Sequence, residues 1–157
     1  DGVEKRMDVI ATAIQGNLNV EDLAELELCY APPVGSAKDP VNIAGMAAQN
    51  IVEGMVKRVE WSELDKLAHD PNVILLDVRG PKEIESSGLL SKDAMNIPLN
   101  DLRDRLDDLP KDKCIVVSCA SGQRSYYASR ILSQNGFDVY NLDGAFMTFH
   151  DVHPEPV

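Results

Sequence analysis

A chain of 157 residues, 44% hydrophobic and 26% charged, suits one globular core, or one domain with an appendage. Its formal charge of −11 argues against a nucleic-acid partner, because phosphate binding needs a basic face. No apolar run approaches membrane-spanning length and no signal peptide opens the chain. Three cysteines without framework-like spacing point to a reducing compartment, by default the cytoplasm.

The opening "DGVEKRMDVIATAIQ" is helical almost at once, with Val3, Met7, Ile10 and Ile14 on one face. With little leader and no starting methionine, the chain reads as a piece of something longer. Gly16-Asn17 stops the first helix, and Asn19 caps a second over Val20–Cys29. The prolines and glycine of "YAPPVGSAKDP" exclude regular structure, and "VNIAGMAAQNIVEGMV" resumes helical spacing. Residues 1–56 show no convincing strand and are too few for an independent core, so they are expected to dock on the rest of the chain or on a second copy.

From Lys57 the pattern changes. Ser62 with Asp65 predicts a capped helix over "ELDKLAHD", closed by Pro71. "VILLDV" (73–78) is a short apolar run suited to a strand buried on both faces. A short helix over 81–86, a strand in "AMNIPL" and an amphipathic helix in "LNDLRDRLDDLP" follow. "CIVVS" is a third strand, "SYYASRILSQNG" a helix and "DVYNL" a fourth strand. This alternation predicts an α/β unit over 57–157 with a mainly parallel sheet, whose ligands bind at the carboxyl ends of the strands.

Cys119 falls at such a strand end, within "VVSCASGQRS". With Gly122 free to take unusual dihedrals, the short loop with Ala120, Ser121, Gln123 and Ser125 can turn backbone N–H groups inward. The next helix N-terminus adds partial positive charge, and Arg124 is expected to face the same anion. Such a loop lowers a thiol pKa and makes Cys119 a nucleophile; otherwise it is a buried core thiol. Cys29 and Cys114 read as structural. His69, His150 and His153 are too dispersed to form a metal site with the cysteines.

Residues 57–157 resemble a rhodanese domain, a single-domain sulfurtransferase. The resemblance rests on "LLDVRGPKEIESSG" with Asp77, Arg79, Glu83 and Gly88, on "MNIPLNDL", on the loop "CASGQRS" and on "GFDVYNLDGAF". It implies a three-layer rhodanese-like fold with Cys119 as nucleophile, and structural roles for Asp77 and for Arg79, the latter paired with Glu83. The sequence departs from the family where "GLLSKDA" replaces its histidine-containing stretch, where Gly144-Ala145 replaces two glycines, and where Phe149 replaces a tryptophan.

Residues 1 to about 50 are similar to the end of the dimerisation domain of coenzyme A-disulfide reductases, flavoproteins of which some carry a C-terminal rhodanese domain. "YAPP…AKDP" is the most specific part. That resemblance makes residues 1–56 the helical remnant of a flavoprotein dimerisation domain. It implies a homodimeric complete enzyme whose missing reductase domains hold FAD and NAD(P)H, with coenzyme A as a thiol substrate. This segment alone holds no cofactor. Tyr30 would reach a partner subunit's thiol site, or lie half-buried under the proline loop.

The leading expectation is therefore a sulfurtransferase that carries sulfur from a small donor to a thiol acceptor as a Cys119 persulfide. A Cys-based phosphatase is a weaker alternative: such loops are Cys-x5-Arg, and here Ser125 occupies the arginine's place. A non-catalytic interaction module is a third. Residues 1–56 carry 3 basic against 9 acidic residues and 57–157 carry 12 against 17. An anionic substrate must therefore be attracted by the loop rather than by the overall field.

Overall fold

The computed structural model describes residues 2–152 and 156. The chain forms two compact units, Asp1–Met55 and Val56–Val157.

The first unit holds helices α1 (Val3–Gln15), α2 (Val20–Glu25) and α3 (Pro40–Val52). Asn19 caps α2 through its side-chain oxygen, which accepts from the Asp22 N–H at 2.9 Å, while the Asp22 carboxylate accepts from the Asn19 N–H at 2.9 Å. The expected continuation of α2 to Cys29 does not form: the backbone leaves the helical region at Leu26 (ψ 126°). Asn42, almost fully buried, ties that end down by donating to the carbonyls of Leu23 (3.2 Å) and Leu26 (2.8 Å). Gly45 lets α3 lie against α2, because a Cβ there would sit 2.5 Å from the Ala24 nitrogen. Few apolar side chains of this unit are buried, whereas Val3, Met7, Ile14 and Val52 are exposed.

The second unit is a five-stranded, all-parallel sheet in the order β1-β5-β4-β2-β3. Its strands are β1 (Lys57–Val59), β2 (Val73–Asp77), β3 (Met95–Asn96), β4 (Cys114–Ser118) and β5 (Asp138–Leu142). The central strands β2 and β4 are continuous apolar runs because each face meets its own layer. Ile74 and Leu76, Ile115 and Val117, and Val139 point to one cluster with Leu102, Ala128 and Leu132. Val73 and Leu75, Val116, and Tyr140 and Leu142 point to the other with Leu64, Phe146 and Phe149. The period of two thus builds a three-layer domain. Helix α4 (Leu64–Ala68) lies on the second face, α5 (Pro81–Ser87) follows β2, α6 (Gln123–Gln134) lies on the first face and α7 (Ala145–Val152) on the second.

Several expectations need correction. The sheet has a fifth strand, β1, too short and charged ("KRV") to show a strand pattern, and it pairs with β5 in parallel. "AMNIPL" contributes only Met95–Asn96 as strand, although the N–H groups of Ile97 and Leu99 still donate to the carbonyls of Asp77 and Val78 at 3.1 Å. The helix predicted in "LNDLRDRLDDLP" is a 3-10 segment, Leu102–Asp108, interrupted at Arg105 (φ −119°). Before α4 runs a 3-10 turn, Trp61–Glu63, closed by Glu63 accepting from the Glu60 N–H at 3.3 Å rather than by Ser62 and Asp65. Helix α7, not predicted from the sequence, comes directly after β5. No helix of the described residues is long and apolar enough to cross a membrane.

Candidate active site

The site forms where β4 delivers Cys119 from the sheet centre to the start of α6. Hydrogen bonding within the sheet fixes the strand end, where the Val78 N–H donates to the Ser118 carbonyl at 2.9 Å. The loop proper is Cys119–Gly122, since Gln123 and Arg124 already belong to α6. Gly122 takes φ 102°, a left-handed conformation that strains any other residue. That turn aims the Gly122 N–H at the sulfur, 3.2 Å from Sγ.

Two amides of α7 hold the loop from the other side. The Phe146 N–H donates to the Cys119 carbonyl at 2.9 Å and the Met147 N–H to the Ala120 carbonyl at 3.0 Å. Sequence reasoning missed this support; the glycine of "LDGAF" was its available signal. Gly144 has φ 74°, and Ala145 takes φ 51° while fully buried, so the family's second glycine position is kept in its unusual conformation by alanine.

Cys119 is buried, 1% exposed, with its sulfur facing a row of donors. Burial pushes its thiol pKa up, but hydrogen bonds from the Ser125 hydroxyl and from the backbone N–H groups of Ser125, Gly122 and Ser121 outweigh burial and hold it below the ordinary value. The Ser125 hydroxyl lies 3.5 Å from Sγ and 3.0 Å from the Gly122 carbonyl. It has one proton to give. With a neutral thiol, Cys119 donates to Ser125, which donates to Gly122; once the thiol ionises, that hydroxyl proton is available to the sulfur.

The charged pairs near the loop differ from expectation. Arg79, 2% exposed, binds Asp77, not Glu83: its Nε and Nη2 reach the Asp77 carboxylate at 2.9 and 2.7 Å. Nη1 donates to Ser87 Oγ (2.9 Å), Nη2 also donates to the Gly88 carbonyl (2.7 Å), and the guanidinium lies 3.7 Å from the Phe146 ring centre. Glu83 instead receives Arg124. Nη1 and Nη2 reach its two carboxylate oxygens at 2.6 and 2.8 Å, so the guanidinium expected to face the anion is turned into a bidentate pair. The hydrogen bond from Arg124 is the main reason the Glu83 pKa falls to about 2. Arg124 is raised in turn, first by Glu83 and to a smaller degree by the charge of Cys119.

The other residues singled out lie elsewhere. Ala120, Ser121 and Gln123 complete the loop and the first turn of α6. Tyr30 lies in the first unit and is 55% exposed. Cys29 is exposed rather than a core thiol, and Cys114, part-buried on β4, has its pKa raised by burial. His153 lies outside the described residues, and among those described no cluster of His, Cys, Asp and Glu could hold a metal ion.

The family model for the rhodanese-like domain matches residues 60–151, more than half of the chain. The chain belongs to the rhodanese-like family. A sulfurtransferase of Allochromatium vinosum is 36% identical over 97 residues, covering 60% of this chain and 89% of that protein. A coenzyme A disulfide reductase of Staphylococcus epidermidis is 46% identical over 48 residues, 31% of this chain but 11% of that protein. Among solved structures, reduced Bacillus anthracis CoADR-RHD superposes over 98% of this chain at 51% identity, with a TM-score of 0.92. The NAD-dependent persulfide reductase from A. fulgidus superposes over 92% at 41% identity, with a TM-score of 0.80. This chain spans 27% and 25% of those two chains, respectively. The rhodanese domain here is thus similar to those of coenzyme A disulfide and persulfide reductases, together with the segment that precedes it.

Proposed function

We propose that this rhodanese domain is a sulfurtransferase in which Cys119 carries sulfane sulfur. The observation that carries the reading is the cup of donors, the Gly122 N–H at 3.2 Å first among them, that holds the sulfur at the start of α6. The Cys119 thiolate attacks the outer sulfur of thiosulfate; the donor's S–S bond breaks and sulfite leaves with the electron pair. With a persulfide donor a thiolate leaves instead. Either way Cys119 becomes a persulfide, whose terminal anion the same amides and the helix dipole stabilise. A thiol acceptor then removes the sulfur and restores the thiolate, so the kinetics are ping-pong.

Similarity to the larger reductases supports a finer reading. Residues 1–56 are the end of a dimerisation domain, the complete protein is a homodimer, and the acceptor is coenzyme A or a related thiol. FAD and NAD(P)H would be held by reductase domains outside these 157 residues, where they would supply the electrons that reduce the resulting persulfide. Tyr30 would serve the partner subunit's thiol site. Cys-based phosphatase chemistry is disfavoured because Ser125 stands where that reaction needs an arginine, and Arg124 is committed to Glu83.

Replacing Cys119 by alanine should abolish thiosulfate:cyanide sulfurtransferase activity. Full activity in Cys119→Ala would rule out the assignment.

A further inference from the structure

Arg124 is the sole cation in the segment Cys119–Ser125. It enters on the first turn of α6, two residues past the amide that reaches the sulfur, and Arg124 and Glu83 are both partly exposed there (36% and 41%). Glu83 holds it with both oxygens and is itself fixed from behind, its Oε2 also accepting from the Gly80 N–H at 3.0 Å. Swinging the carboxylate aside would give up all three hydrogen bonds. The first turn of α6 beside the loop therefore carries a neutral pair rather than a free guanidinium.

We infer that Glu83 is a specificity-determining residue: by neutralising Arg124 it selects organic persulfides over inorganic dianions as sulfur donors. The inference rests on the sulfurtransferase reading above. Both donor classes bring a sulfane sulfur to Sγ and differ in the group bonded behind it. Thiosulfate carries its sulfonate charge one bond behind the transferred sulfur, so it would bring a dianion to the first turn of α6, where Glu83 is paired with Arg124. An organic persulfide places a carbon chain there. Backbone amides serve the transferred sulfur of both donors, so the charge beside the loop discriminates by the group behind that sulfur. The steps balance: Cys119 thiolate plus thiosulfate gives Cys119 persulfide plus sulfite, and Cys119 thiolate plus an organic persulfide gives Cys119 persulfide plus the organic thiol or thiolate.

The test is the rate at which Cys119 of the full 157-residue chain gains one sulfur, read by mass spectrometry, from thiosulfate and separately from cysteine persulfide. The expected wild-type preference is for cysteine persulfide. Glu83→Gln, which retains an acceptor for the Gly80 N–H, should shift the donor ratio toward thiosulfate on the order of tenfold, and added salt should reduce that gain. Arg124→Gln leaves the carboxylate unpaired and should shift the ratio the opposite way. A purely structural pair would move both donors together, so ratios unchanged within about twofold, or shifted in the same direction by both variants, would overturn the inference. Absence of sulfur on wild-type Cys119 from either donor would instead overturn the sulfurtransferase reading beneath it.

Discussion

At the scale of single residues, the site depends on how a buried sulfur is kept ionisable. Ser125 contributes the largest of the interactions that lower the Cys119 pKa, ahead of the amides of the loop. Ser125→Ala should therefore raise the pH midpoint of iodoacetamide alkylation at Cys119; an unchanged midpoint would assign the lowering to the backbone alone. Glu83 makes a second prediction. Its pKa falls from 4.5 to about 2 in the fold, so its pairing stabilises the native state fully above about pH 4.5 and ceases to do so as pH falls toward 2. Urea midpoints measured across that window should fall less steeply with acid in Glu83→Gln than in the wild type, and equal slopes would contradict the pairing. Solvent screens this part-exposed pair, so the effect is modest. The sequence made Cys119 and its glycine legible, since a thiol between an apolar strand and a helix has few other settings. It did not reveal the arginine partners. Asp77 and Glu83 are both within five residues of Arg79, and only the fold decides which carboxylate each guanidinium meets.

At the scale of elements, the long apolar runs were readable because burial on both faces leaves no polar alternation to confuse them. The short pieces were not. β1 has three residues, two of them charged, and forms because β5 offers a free edge. Helix α2 ends at Leu26 although its sequence favours continuation, since Asn42 captures the last carbonyls from a distant helix. Both outcomes depend on tertiary partners that local propensity does not encode. Packing of α3 on α2 makes its own prediction. A methyl at position 45 would meet the backbone of Leu23 and Ala24, so Gly45→Ala should destabilise the first unit by about 2 kcal/mol or more. Thermal unfolding monitored by helical circular dichroism checks this, and a variant with an unchanged transition would show that the helices can separate without penalty.

At the scale of the whole molecule, the change of pattern at Lys57 was visible as the point where helical spacing gives way to strand alternation. What the first unit's exposed apolar side chains cover was not, because a surface carries no record of its partner. Among the described residues, both apolar clusters of the rhodanese unit draw their members from Val59 to Phe149. A chain starting at Val56 should therefore fold and accept sulfur on Cys119 at a rate within about twofold of the longer chain, and limited proteolysis should cut before Met55 first. Collapse of the shortened chain would show that its core requires the preceding helices. Sulfur transfer through Cys119 is tested most directly by mass spectrometry of the 157-residue protein after exposure to thiosulfate or cysteine persulfide. One additional sulfur atom is expected, located on the Cys119 peptide and removed by a thiol. No added sulfur, or sulfur found only on Cys29 or Cys114, would contradict that role.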